Sequence, residues 1–168
     1  DPFFTAAYTG VTGGTVILVA DDNGCHSSQN EQDSRYYGKA AGVPGLEPSD
    51  AQECKDYMVK AFDISEKYDT IVLLRSNTRI SHSRGVVTIG TREEREKIPY
   101  QKNINKYVAM PTMAKQLHIV QEKRMKQIAC DADHMDINRA EMKDTKIGII
   151  TSGICYQYVK EALPEASV

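Results

Sequence analysis

Five uninterrupted apolar residues, Val16-Ile17-Leu18-Val19-Ala20, run straight into Asp21-Asp22, a turn at Asn23-Gly24 and a polar stretch that reaches Arg35. No other feature constrains the fold as tightly. An aliphatic run without polar alternation reads as a strand buried on both faces, the kind found in parallel sheets. In open α/β sheets, ligands sit beyond the carboxyl ends of the strands. The polar stretch behind this strand is therefore where chemistry is expected. It offers His26, the hydroxyls of Ser27 and Ser28, the carboxamides of Gln29, Asn30 and Gln32, and the guanidinium of Arg35. That set suits a small polar or anionic ligand. The same composition also fits a solvated βα loop.

The pattern recurs. Thr70-Ile71-Val72-Leu73-Leu74 is a second aliphatic run, and it opens into the polar segment Arg75–Arg84. Two such segments, each following a strand of one parallel sheet, would face a common crevice. Lys146–Thr151 reads as a third buried strand, which Ser152-Gly153 turns into a helix over 154–163. The start of such a helix can hold an anion, although a lone glycine also makes a plain βα turn. Helices are expected over 2–8, where Asp1 and Pro2 make a start signal, and over 32–41, where Gly42 makes a stop. Another opens at Ser49, which has capping-box spacing with Gln52. It carries Ala51, Cys54, Met58, Ala61, Phe62, Ser65 and Tyr68 along one stripe. A fourth covers 112–135, with Met113, Leu117, Ile128, Ala132 and Met135 on its apolar face. Pro44 and Pro48 keep 43–48 from being a fully paired central strand. Gly85–Ile89 reads as a short strand, and Arg92–Lys97 as a charged surface connection.

Composition excludes some classes. A net charge of -2 lacks the basic bias of a nucleic-acid binder. No apolar run is of membrane-spanning length, and no signal peptide pattern is present. Cys25, Cys54, Cys130 and Cys155 lie far apart with no C-x-x-C pair. They fit a reduced, cytoplasmic chain rather than a disulfide, zinc or iron–sulfur framework. Asp131, Asp133, His134 and Asp136 are close in sequence, but their alternation around a helix end is poor for converging on a metal.

The fold class is α/β. A single βα unit from Lys146 onward cannot bury both of its faces, and 1–98 supplies too few strands for a doubly wound domain. The chain therefore reads as part of a longer polypeptide: 1–98 as the later part of one domain, 99–145 as linker and connecting helix, 146–168 as the start of another. Unpaired sheet edges in so partial a domain invite association with another copy.

The stretch Ala20–Tyr37 closely resembles the alpha-subunit family of indolepyruvate:ferredoxin oxidoreductases. Leu46–Asp50, Ser65–Thr70, Thr78–Arg84 and Gly148–Gly153 match that family in the same order, and Thr91–Ala109 is the least similar part. The resemblance implies a thiamine diphosphate enzyme of the 2-oxoacid:ferredoxin oxidoreductase superfamily. Such an enzyme oxidatively decarboxylates indolepyruvate and other aryl pyruvates, forms an acyl-coenzyme A and reduces ferredoxin through iron–sulfur clusters, working with a beta subunit. It further implies that 1–98 belongs to the pyrimidine-binding domain and that 146–168 opens a domain similar to the C-terminal domain of transketolases. Arg35 falls where related enzymes have an arginine contacting the substrate carboxylate, and a guanidinium fork matches a carboxylate. His26, Ser27, Ser28 and Asn30 share that loop and would shape the pocket. Arg79 and His82 match family residues at the second strand end, where a structural hydrogen bond or a surface charge is an equal reading. No residue here takes the role of the glutamate that activates the aminopyrimidine ring. The Gly-Asp-Gly segment for diphosphate and magnesium and the cluster cysteines are also not found, so this stretch by itself is expected to be inactive. The alternatives are an enzyme acting on pyruvate or another 2-oxoacid, and a non-catalytic α/β interaction module.

Overall fold

A computed structural model describes residues 1–26 and 28–168. Helix α1 (Pro2–Thr9) leads to strand β1 (Thr15–Asp21), helix α2 (Arg35–Ala41) and the two-residue strand β2 (Gly45–Leu46). Helix α3 (Ala51–Tyr68) returns the chain to strand β3 (Ile71–Asn77), capped by the single turn α4 (Thr78–Ser81). Then come the short α5 (Ile104–Tyr107), the long α6 (Pro111–Ala132), strand β4 (Asp144–Gly148), helix α7 (Cys155–Ala162) and strand β5 (Ala166–Ser167). The strands form two parallel sheets, one of order β1-β3-β2 and one pairing β4 with β5.

The first sheet is organised by β3, its central strand. Residues alternate between faces with period two. Val72 and Leu74 face α3 and α6, in a cluster with Tyr57, Ala61, Ile64, Tyr68 and Ile128. Ile71 and Leu73 face the other way, toward Ala7 of α1 and Ala41 of α2. Both faces are thus covered, as parallel sheets require. Burial on both faces is expected of both aliphatic runs; the second shows it and the first does not. β1 is an edge strand, and Leu18 is 62% exposed, because among the described residues no strand pairs with its outer side.

Local signals hold with shifts. The reciprocal box of α3 sits one residue later than Ser49–Gln52. The Asp50 carboxylate accepts from Glu53 N at 2.8 Å, while the Glu53 carboxylate accepts from Ser49 N at 2.7 Å. α6 buries Leu117 and Ile128 as its periodicity predicts, and also Gln121 and Arg124. Those two polar side chains are buried because they cap other helices: Gln121 donates to Ala41 O, and Arg124 Nη1 to Ala7 O at 2.9 Å. Gly42, at the end of α2, is left-handed with φ 64°. A Cβ there would come within 2.9 Å of Gln121 Nε2, so both backbone and neighbour favour glycine.

Two further expectations fail. Gly85–Ile89 forms no strand; it runs as an exposed irregular segment tied to α3 by Thr88 N donating to Gln52 Oε1 at 2.7 Å. The third strand, Asp144–Gly148, is exposed along its whole length rather than buried. The strand it pairs with, β5, is two residues long. Among the described residues, no helix is long and apolar enough to cross a membrane.

Candidate functional site

The carboxyl ends of β1 and β3 lie side by side in parallel register, with Val19 opposite Arg75 and Asp21 opposite Asn77. The two polar segments that follow them therefore meet at one end of the sheet. At their junction Arg75 is buried, its side chain 8% exposed. Its Nε donates to Asp21 Oδ2 at 2.5 Å, Nη1 to Glu47 Oε1 at 3.1 Å and Nη2 to Asn23 Oδ1 at 2.9 Å. A buried guanidinium needs such a full set of acceptors.

Asp21, just 3% exposed, also accepts from Ser34 N at 2.7 Å and Ser34 Oγ at 2.6 Å. Burial alone would push its carboxyl up; the Ser34 and Arg75 donors overcome this and hold it below the usual carboxylate range. The Ser34 hydroxyl is thereby committed to the sheet, and it makes no cap bond to the helix that starts after it. α2 accordingly begins at Arg35 rather than at Gln32. Beside it, Asp33 receives Arg35 in a two-pronged pair, Nε to Oδ1 at 2.8 Å and Nη2 to Oδ2 at 2.6 Å. That fork holds the Asp33 carboxyl down at about 2. Glu47 completes the group. Its Oε1 lies 3.8 Å from Arg35 Nε, and its Oε2 accepts from Ser152 Oγ at 2.8 Å. The 151–153 turn closes over it, with Gly153 in the left-handed region at φ 58°.

Two cavities open on this polar cluster, of about 770 Å³ and about 650 Å³. Arg35, Glu47, Arg75 and the Thr151-Ser152-Gly153 turn line both and so form the wall between them. The larger continues along apolar side chains, among them Val43, Leu46, Leu73 and Ile149. The smaller is bounded by His26, Asn77, Thr78 and Arg79 on one side and by Ile154 and Tyr158 on the other.

The structure therefore brings together Arg35, His26 and Arg79. Ser28 and Asn30 lie outside both cavity walls. The Ser28 hydroxyl donates to the Asp22 carboxylate, which also takes the Thr78 hydroxyl, and these bonds lower the Asp22 carboxyl. The Asn30 side chain accepts from Gln32 Nε2 at 2.6 Å on the exposed loop. His82 ends α4 and is exposed, away from the cavities. Ser27 lies outside the described residues. Sequence reasoning ended the second strand at Leu74 and so missed Arg75 as a buried hub. The signal was present: opposite charges, Asp21 and Arg75, directly follow two aliphatic runs that pair in parallel. Asp131, from the acidic group near the end of α6, accepts from the Tyr68 hydroxyl at 2.5 Å and pairs with Lys67.

Parallel strands with helices on both faces define an α/β unit, with a polar crevice at the strand ends where such folds commonly hold ligands. Sequence relatives place it more narrowly. It is similar to the indolepyruvate oxidoreductase subunit IorA of Archaeoglobus fulgidus, 42% identical over 165 residues, 97% of this chain and 26% of that protein. It is likewise similar to IorA of Methanothermobacter marburgensis, 45% identical over 166 residues and covering 27% of that protein, and of Pyrococcus abyssi, 43% over 170 residues and 26%. The chain belongs to the IorA family, and it spans about a quarter of the length of the relatives it matches. No protein-family profile matches it, and no solved structure does.

Proposed function

We propose that this chain supplies the substrate-facing wall of a thiamine diphosphate-dependent oxidoreductase that oxidatively decarboxylates indolepyruvate and related aryl 2-oxoacids to acyl-coenzyme A. Ferredoxin takes the electrons, and a beta subunit is the partner. Residues 1–98 then belong to a pyrimidine-binding domain, and 146–168 open a domain similar to the C-terminal domain of transketolases. One observation supports the reading above the rest. Arg35 stands at the edge of a cavity whose next residues are aliphatic, so a planar cationic fork adjoins an apolar wall. An aryl 2-oxoacid has the complementary halves, a carboxylate and an aromatic ring.

The residues in hand do not make a cradle for a diphosphate and its metal ion. Among the described residues, no group of three or more His, Cys, Asp or Glu is placed to hold a metal. The acidic groups at the site are already engaged by Arg35, Arg75 and Ser34. The part assigned to this chain is to bind and orient the 2-oxoacid, with Arg35 on the carboxylate and Val43, Leu46 and Leu73 along the ring.

Replacing Arg35 with alanine in the assembled enzyme tests this. Loss of a two-pronged, charge-assisted pair should lower kcat/KM for indolepyruvate by about a hundredfold. An unchanged value would remove Arg35 from the substrate site. Running indolepyruvate, phenylpyruvate, pyruvate and 2-oxoglutarate side by side sharpens it: a preference for the non-aromatic acids would mean the aliphatic wall does not receive the side group.

A further inference from the structure

Arg35 does not present a vacant fork. Asp33, two residues earlier, occupies both prongs in the geometry a ligand carboxylate would adopt. This pair lies on the open side, with side chains 56% and 23% exposed. Its solvent side lets a ligand reach the fork, while the two-pronged geometry makes the pair harder to displace than a single exposed contact. Behind it stands the second, fixed guanidinium: Arg75 Nη2 lies 3.7 Å from the same Asp33 Oδ1. Glu47 Oε1 is likewise between the two arginines, 3.1 Å from Arg75 and 3.8 Å from Arg35. Each of these two carboxylates thus sits within reach of two cations, one exposed and one buried.

We propose that Asp33 is a built-in stand-in for the ligand, which an incoming monocarboxylate displaces from Arg35 and which Arg75 then receives. This inference rests on the reading of Arg35 as the carboxylate-binding group. Asp33 then acts as a positioning residue and a filter. In the free protein it keeps the Arg35 fork flat, aligned and facing the cavities, so the fork is ordered before the ligand arrives. It also sets a threshold, since a ligand must replace two charge-assisted bonds at once. A planar carboxylate can do that; a spherical anion such as chloride makes one contact and leaves Asp33 in place. Arg75 can accept the displaced group because its Nη2 donates there to a neutral amide, Asn23 Oδ1, rather than to a carboxylate.

The test is competition at equilibrium in the assembled enzyme, using phenylacetate as an unreactive aryl carboxylate. Asp33→Asn keeps the shape and removes the charge, so phenylacetate should bind about tenfold tighter, and chloride should begin to compete with it. Asp33→Ser should shift affinity in the same direction. Weaker or unchanged phenylacetate binding in both variants, with Arg35→Ala abolishing it, would overturn this inference and leave the reading of Arg35 standing. Phenylacetate binding that survives Arg35→Ala would overturn both. The receiver is tested by Arg75→Lys, which should weaken phenylacetate several-fold beside Asp33 and have no further effect combined with Asp33→Asn. Equal weakening in the two backgrounds would remove Arg75 from the exchange.

Discussion

Two aliphatic runs in this chain look alike and are treated differently by the fold. Ile71-Val72-Leu73-Leu74 is almost wholly buried in β3, whereas Ile147 and Ile150, at the end of β4 and just past it, are 51% and 103% exposed. The difference is one of neighbours rather than of composition. β3 has a parallel strand on each side, α3 and α6 over one face, and α1 and α2 over the other. β4 has the two-residue β5 beside it, and all five of its residues are exposed. An aliphatic run reports that a strand can be buried; the surrounding elements decide whether it is.

The sharpest break in this comparison is expected at the end of β3. Arg75 is buried with Asp21 and holds Glu47 beside it. Arg75→Ala would leave Asp21 as an uncompensated buried carboxylate, a change of about 3–5 kcal/mol in similar cases. Urea denaturation of the folded chain should show that loss. A cost below about 1 kcal/mol would mean the cluster is open to water, and that β3 is less privileged than its burial suggests.

How far the sequence reaches follows from the same contrast. Strand–helix alternation, the parallel pairing of the two long strands and the meeting of their polar ends were legible, because periodicity and turn residues are local. The burial of β1 and β4 was not, since it depends on which strands and helices lie alongside. At the site, Arg35, His26 and Arg79 were readable as polar residues at strand ends. Arg75 was not, because a charged residue after an aliphatic run ordinarily marks the way out to solvent. The acceptors that allow its burial come from residues 21, 23 and 47, distant in sequence. Ser28 and Asn30 show the converse. Their side chains bond within their own segment of the chain, as short polar side chains commonly do.

Acid should expose the same asymmetry with a smaller effect. The folded-state carboxyls of Asp21 and Asp33 lie below their ordinary range, Asp33 at about 2. A depressed carboxyl contributes stability that is present above its unfolded value, near 4, and is lost as pH falls through the folded one. Stability should therefore drop between about pH 5 and pH 2, with the β1–β3 end loosening as its carboxylates take up protons. Asp21→Asn should flatten that slope, because it removes one of the groups responsible. A slope as steep as in the unaltered chain would place the acid sensitivity elsewhere. Glu141 would be the next group to test, since Lys160 and Tyr156 hold it at about 2 beside α7.

The smallest change is expected on β4, and it tests the comparison most directly. Ile147 lies in a strand exposed along its length, in a sheet of two. Truncating a half-exposed side chain removes few contacts, so Ile147→Ala should alter stability by about 0.5 kcal/mol or less. Removing a comparable side chain from a packed core leaves a cavity and costs several times more. If Ile147→Ala instead costs more than about 2 kcal/mol, something covers β4 in the folded protein, either another part of a longer polypeptide or a second copy pairing along the open edge. Sedimentation separates these two. A second copy makes the loss depend on protein concentration, whereas a covering segment of the same polypeptide does not.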